Sequence, residues 1–184
     1  IRGGEIAEIG RNLTAGPGAR TIHPTGKLVL PGGIDTHVHM NIVRAANTRP
    51  GADDFESASR GALAGGITTI GSFINQNADT PAAQTLNENV DAVRRTTIAD
   101  AILHFTISDP TKLSPADITM FRDRGITPKI FMRGMGFEQR LSDNLKLIEA
   151  AGKAGLLTHE MNLVGTAASA LSPEASRVLA VRRP

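Results

Sequence analysis

The chain has 184 residues, enough to bury one domain core, and 40% of them are apolar against 21% charged, as in a globular protein. Its 20 Lys and Arg against 18 Asp and Glu leave a formal excess of +2, too small to argue for a nucleic-acid or anionic-membrane partner. Cysteine is absent, which excludes disulfides, zinc ribbons and thiol nucleophiles and fits a reducing cytoplasm, and no apolar run approaches the ~20 residues that span a bilayer.

Residues 1–31 read as β-rich. Glu5 to Gly10 alternates polar and apolar as a half-buried strand does, Ala15-Gly16-Pro17-Gly18 is turn chemistry, and Thr25-Gly26 precedes a second apolar run from Lys27 to Leu30. The chain opens on Ile1 without a Met and without a signal pattern, so it is expected to be part of a longer one. From Gly32 strands alternate with helices. The predicted order is a strand at 33–39, a helix at 53–64 ended by Gly65-Gly66, and a β-branched strand at 67–70. A helix then opens on a Thr80 cap with Pro81 at its first position and reaches about Arg95. A strand follows at 100–107, and Ser114-Pro115 repeats the capping device before a short helix that stops at Gly125. Lys129 to Met132 is the fourth strand, 142–154 a helix, 156–159 the fifth strand, and Ser172-Pro173-Glu174 opens a last helix.

Alternating strands and helices with short connections predict a parallel sheet covered by helices. An open doubly wound sheet would want a glycine-rich phosphate cradle after its first strand. Met40-Asn41-Ile42-Val43-Arg44 offers none, so a closed (β/α)8 TIM-type barrel is favoured, with its chemistry at the C-terminal strand ends.

The candidate residues sit at those ends. Residues i and i+2 of a strand share a face, so His37 and His39 converge while Val38 points away, an arrangement that suits a metal ion. His159 closes the predicted fifth strand. Lys129 lies among Ile130, Phe131 and Met132, where burying an ammonium is costly. Desolvation favours the neutral amine, and a neutral amine takes up carbon dioxide to give a carbamate, an anionic ligand able to bridge two cations. His104 is read as a core histidine and not a ligand, and His23 is given no role. Asp35 is read as holding the strand-one turn or supporting a ligand, and Met132 and Met135 as packing. Arg133 could meet an acidic substrate group or simply lie in solvent, and Asn75-Gln76-Asn77 could bind substrate or form a polar loop.

Pro31-Gly32-Gly33-Ile34-Asp35-Thr36-His37-Val38-His39 resembles the signature of cyclic amidohydrolases of the hydantoinase and dihydropyrimidinase group. The resemblance extends to Asp53-Asp54-Phe55, Gly65 to Thr69, Gly125 to Met132, Thr158-His159-Glu160 and Ser172 to Ala175, nearly the whole chain. It implies a (β/α)8 barrel with strands 1–5 present (residues 32–184) and, in residues 1–31, part of a small β-sandwich domain. It implies two divalent cations, most readily zinc with manganese, cobalt or nickel as substitutes. His37 and His39 would bind the more buried one, Lys129 as N6-carboxylysine would bridge both, and His159 would bind the other. A metal-bridging hydroxide would then open a hydantoin or dihydropyrimidine ring. The resemblance also implies a homo-oligomer, a tetramer, working on a small-molecule cyclic amide.

Two departures stand beside it. The family's further histidine and aspartate, on strands six and eight, fall beyond Pro184, and five strands do not close an eight-stranded barrel. The chain also has no Tyr, whereas family members often place one shortly after the lysine to bond the substrate carbonyl, a contact worth ~3 kcal/mol. The alternatives are a non-catalytic hydantoinase-like scaffold or assembly protein, or another cyclic amidohydrolase such as a dihydroorotase or allantoinase.

Overall fold

The computed structural model describes residues 1–40, 51–132 and 135–161, with residues 135 and 159–161 described by backbone alone. The chain divides into two compact units, Ile1–Pro31 and Gly32–Pro184.

The first unit corrects the β-rich expectation. Its turns fall at Pro17-Gly18 and Thr25-Gly26 as the sequence predicts, but its only pairing is an isolated antiparallel bridge between Arg2 and Glu5. A strand exists through the ladder it makes with a neighbour. The runs Glu5 to Gly10 and Lys27 to Leu30 do not pair with one another, and Ile6, Ile9, Leu28, Val29 and Leu30 are exposed.

The second unit is α/β. In order it contains β1 (Gly33–Val38), α1 (Phe55–Ala64), β2 (Ile67–Asn75), α2 (Ala82–Thr96), β3 (Asp100–Ile107), a short 3-10 turn (Pro110–Lys112), α3 (Pro115–Asp123), β4 (Thr127–Phe131), α4 (Met135–Gln139), α5 (Leu141–Lys153) and β5 (His159–Met161). The five strands form one parallel sheet in the order β1-β2-β3-β4-β5. Spatial order equals chain order, so the described sheet has no switch point of the kind that marks a doubly wound fold, and it is a half-barrel.

Local sequence explains the element boundaries. Asp54 caps α1: its carboxylate accepts the Ser57 amide N–H at 2.8 Å, and the Ser57 hydroxyl accepts the Asp54 N–H at 3.2 Å. Ser114 and Asp117 repeat the device at α3, behind Pro115 in the first turn. At α2 the expected cap shifts by one residue. Pro81 occupies the capping position with extended backbone (φ −54°, ψ 143°), and no side chain bonds there, so Thr80 is not the cap. The double glycine before β1 is a packing requirement, since a Cβ on Gly32 would collide with the Thr68 side chain and one on Gly33 with Ile67.

Four strand boundaries differ from expectation, and the first is that β1 ends at Val38, so His39 lies just past the strand rather than in it. β2 runs on through Asn75, because Gly71 to Ile74 remain in register with β3. β4 is Thr127–Phe131 rather than 129–132. β5 begins at His159, the register partner of Lys129, so His159 opens this strand instead of closing it. The short helix α4 was not anticipated, and α5 runs one residue ahead of the predicted 142–154 at each end. Arg133 and the helix predicted from Ser172 lie outside the described residues.

The core lies between sheet and helices. Leu103, Phe105 and Ile107 alternate along β3 onto the helix side, where they meet Ile74, Leu86, Ile118, Phe121, Ile130 and Leu147. The Phe105 and Phe121 rings sit 5.0 Å apart, and both side chains are fully buried. Met132 belongs to the same cluster, in line with its reading as packing. A second cluster joins Met40, Phe55 and Ile70 with Val38, Ala58 and Ala62 under α1. Among the described residues, no helix is long and apolar enough to cross a membrane.

Phe121→Ala should cost about 3–5 kcal/mol in urea unfolding, because it opens a cavity at the centre of the larger cluster. Ser114→Ala, measured in the same way, should cost about 1 kcal/mol, the worth of an N-cap.

Candidate metal centre

With the core on the helix side, the opposite face of the sheet carries the candidate site residues. In parallel pairing, register partners share a face. Phe73 pairs with His104, Thr106 with Lys129, and Lys129 with His159. His37 on β1 and His39 just past its end lie on the same side, against the Phe73 ring, while Val38 between them packs under α1. The two imidazole centroids are 5.3 Å apart.

Lys129 is the anomaly of this face. Its side chain has no solvent exposure, and its Nζ has no hydrogen-bond partner among the described residues. The amine lies over two aromatic rings, 3.6 Å from the Phe73 centroid and 4.7 Å from that of Phe131. A desolvated cation–π contact is worth about 2 kcal/mol, whereas removing an ammonium from water costs several. Desolvation wins, and burial holds the Lys129 pKa below the ordinary lysine value.

Phe73 is the residue that sequence reasoning missed. Its ring touches every candidate whose side chain is described: His37 at 4.5 Å, His39 at 5.0 Å in a stacked arrangement, and the Lys129 amine. His104 packs on it as well, at 5.0 Å. The available signal was alternation. Had β2 been extended to Asn75, Phe73 would have fallen on the inner face as an aromatic opposite the apolar Ile70 and Ile74.

The other candidates resolve individually. The Asp35 carboxylate accepts the His37 backbone N–H at 3.0 Å, the strand-one role foreseen for it. His104 is buried and bonds the Thr36 carbonyl, which fits its reading as a core histidine. Gln76 does not reach toward a substrate. Its Oε1 accepts from the Ser108 and Asp109 amides at 2.9 and 2.8 Å, and its Nε2 donates to the Asp109 carbonyl at 3.0 Å, so it ties the loop after β2 to the loop after β3. Asp109 in turn meets Arg140 at 3.5 Å, and the Thr111 hydroxyl bonded to its carboxylate holds that carboxyl below the usual range. The Asn77 carbonyl oxygen accepts the Asp79 N–H and shapes a turn. The His159 side chain lies outside what is described, so its place is given by register alone.

Among the described residues no three His, Cys, Asp or Glu side chains group around one point. The fit to a metal centre is therefore one of donor chemistry. Two imidazoles lie side by side, and a buried amine with lowered basicity and no hydrogen-bond partner among the described residues suits a carbamate, which would supply the oxygen ligands that a His-rich zinc-type centre lacks here.

No protein-family model matches the chain. It is 35% identical over 160 residues to a D-hydantoinase of Rhizobium radiobacter, covering 85% of this chain and 34% of that protein. It is 32% identical over 129 residues to human dihydropyrimidinase-related protein 5, covering 68% of this chain and 22% of that protein. A crystal structure of D-hydantoinase superposes with a TM-score of 0.77 at 27% identity, covering 96% of this chain and 38% of the other. The chain spans about a third of the length of the curated hydantoinases it matches. Signature, half-barrel, sequence similarity and superposition agree: the chain belongs to the hydantoinase and dihydropyrimidinase group of cyclic amidohydrolases.

Proposed function

We propose that this chain supplies the metal-binding half of an enzyme that opens a cyclic amide ring, of the hydantoin or dihydropyrimidine type, by metal-dependent hydrolysis. The observation that carries the reading is the Lys129 amine, enclosed, without a hydrogen-bond partner, and one register step from His159. Similarity to D-hydantoinases supports the substrate class.

In this reading His37 and His39 would hold one divalent cation as neutral imidazoles, His159 would hold a second, and Lys129 as carbamate would supply oxygen ligands to them. The Lys129 Nζ forms a bond to the carbon of CO2, releases one proton to solvent, and becomes an oxygen ligand. Phe73 and Phe131 keep water from the amine, which maintains the neutral form that this step needs. When bound, two cations of this kind polarise a ring carbonyl and lower the pKa of a water toward ~7. Zinc suits imidazole with carboxylate-type oxygen, and manganese, cobalt or nickel would substitute. Residues 1–31 belong in this proposal to a small β-sandwich whose remaining strands would cover the exposed Leu28, Val29 and Leu30. A cytoplasmic homotetramer completes it, on resemblance alone.

In the full chain, Lys129→Ala should lower bound metal measured by mass spectrometry, reduce hydrolysis more than about 100-fold, and recover part of both on addition of a short carboxylic acid. A metal-free, folded and active protein would sink the reading. A screen of hydantoin, dihydrouracil, allantoin and dihydroorotate, with and without added metal, should show metal-dependent opening of hydantoin or dihydrouracil. Metal binding without turnover of any of the four would point instead to a scaffold.

A further inference from the structure

The histidine pair at the end of β1 follows an irregular stretch of pairing. The pairing with β2 slips twice: from Gly33–Ile67 to Ile34–Thr69 it takes one step along β1 against two along β2, and from Asp35–Ile70 to Val38–Ser72 it takes three against two, which restores the register that Gly33 began. Such a bulge inverts the alternation beyond it, because a one-residue slip moves every later side chain to the other face. Ile70 and Val38 both pack under α1. Because the first slip puts Asp35 in phase with Ile70, the second is what turns His37 and His39 away from the helices.

Two side chains hold this bulge. The Asp35 carboxylate takes the His37 N–H at 3.0 Å. From two strands away, His104 on β3 reaches the Thr36 carbonyl, with its Nε2 3.1 Å from the oxygen. A carbonyl only accepts, so Nε2 must carry the proton. The reach crosses β2 at Gly71, and only glycine leaves it open. A Cβ there would stand 2.7 Å from the Thr36 oxygen and 2.9 Å from the His104 Nε2.

We propose that His104 is a positioning residue for the His37–His39 pair: passing over Gly71, its Nε2–H donates to the Thr36 carbonyl and fixes the bulge that turns both imidazoles onto the inner face. This rests on the reading of His37 and His39 as cation ligands. His104 binds no metal itself. It acts through the peptide that precedes His37, as an outer partner acts on a ligand it orients.

Three measurements in the full chain test it. His104→Leu removes the donor at similar bulk and should weaken zinc affinity about 10- to 100-fold. Gly71→Ala, which blocks the same bond from the other side, should do likewise, and the double variant should be little worse than either alone. In the wild-type protein, nitrogen NMR should report His104 protonated at Nε2. Unchanged zinc affinity in either folded variant, including one with a lowered melting temperature, would overturn the proposal by leaving His104 a packing residue. An Nδ1-protonated His104 overturns it without any substitution, should both variants fail to fold. If the wild-type protein binds no zinc, the hydrolase reading fails first, and the NMR result still decides whether His104 holds the bulge.

Discussion

One constraint organises the inner face of this sheet: an amine at Lys129 that is closed to solvent and has no hydrogen-bond acceptor among the described residues. A protonated lysine is poorly served there, since two aromatic rings recover only part of its lost hydration. The surroundings follow from that enclosure. Pro128 and Ile130 anchor β4, and Phe73 reaches across from β2 to cover the amine on the side of the histidines. The same phenyl ring that excludes water from Lys129 stacks against His39, so the apolar wall and the candidate ligands share a surface.

Much of this was legible in the amino-acid sequence, for reasons that can be named. His37 and His39 could be paired because strand alternation is a strict period of two, and Val38 marked the other face. Ser114-Pro115 could be read as a helix start because capping is a local hydrogen-bond requirement that the sequence meets within three residues. Lys129 stood out because a charge in an apolar run needs a reason.

The remainder was hidden for equally physical reasons. The true start of β5 at His159 is set by pairing with β4, and pairing is a property of two segments rather than one. The strands foreseen in residues 1–31 have suitable alternation but no ladder between them, because propensity does not supply a neighbour. Gln76 looked available for a ligand, and only the fold reveals that both ends of its amide are committed to the loop after β3. The role of Gly71 was invisible because it depends on what crosses above it, not on the turn chemistry that glycine usually signals.

Because spatial order in the sheet follows chain order, each strand pairs with the one that precedes it in the chain, from β1 to β5. Lys129 then changes character during folding. On an unfolded chain its amine keeps ordinary basicity, holds its proton at neutral pH, and is inert toward CO2. Only enclosure within β4 lowers that basicity. Low basicity at this position is therefore a sign of completed assembly: a misfolded or half-made copy would present an ordinary surface lysine.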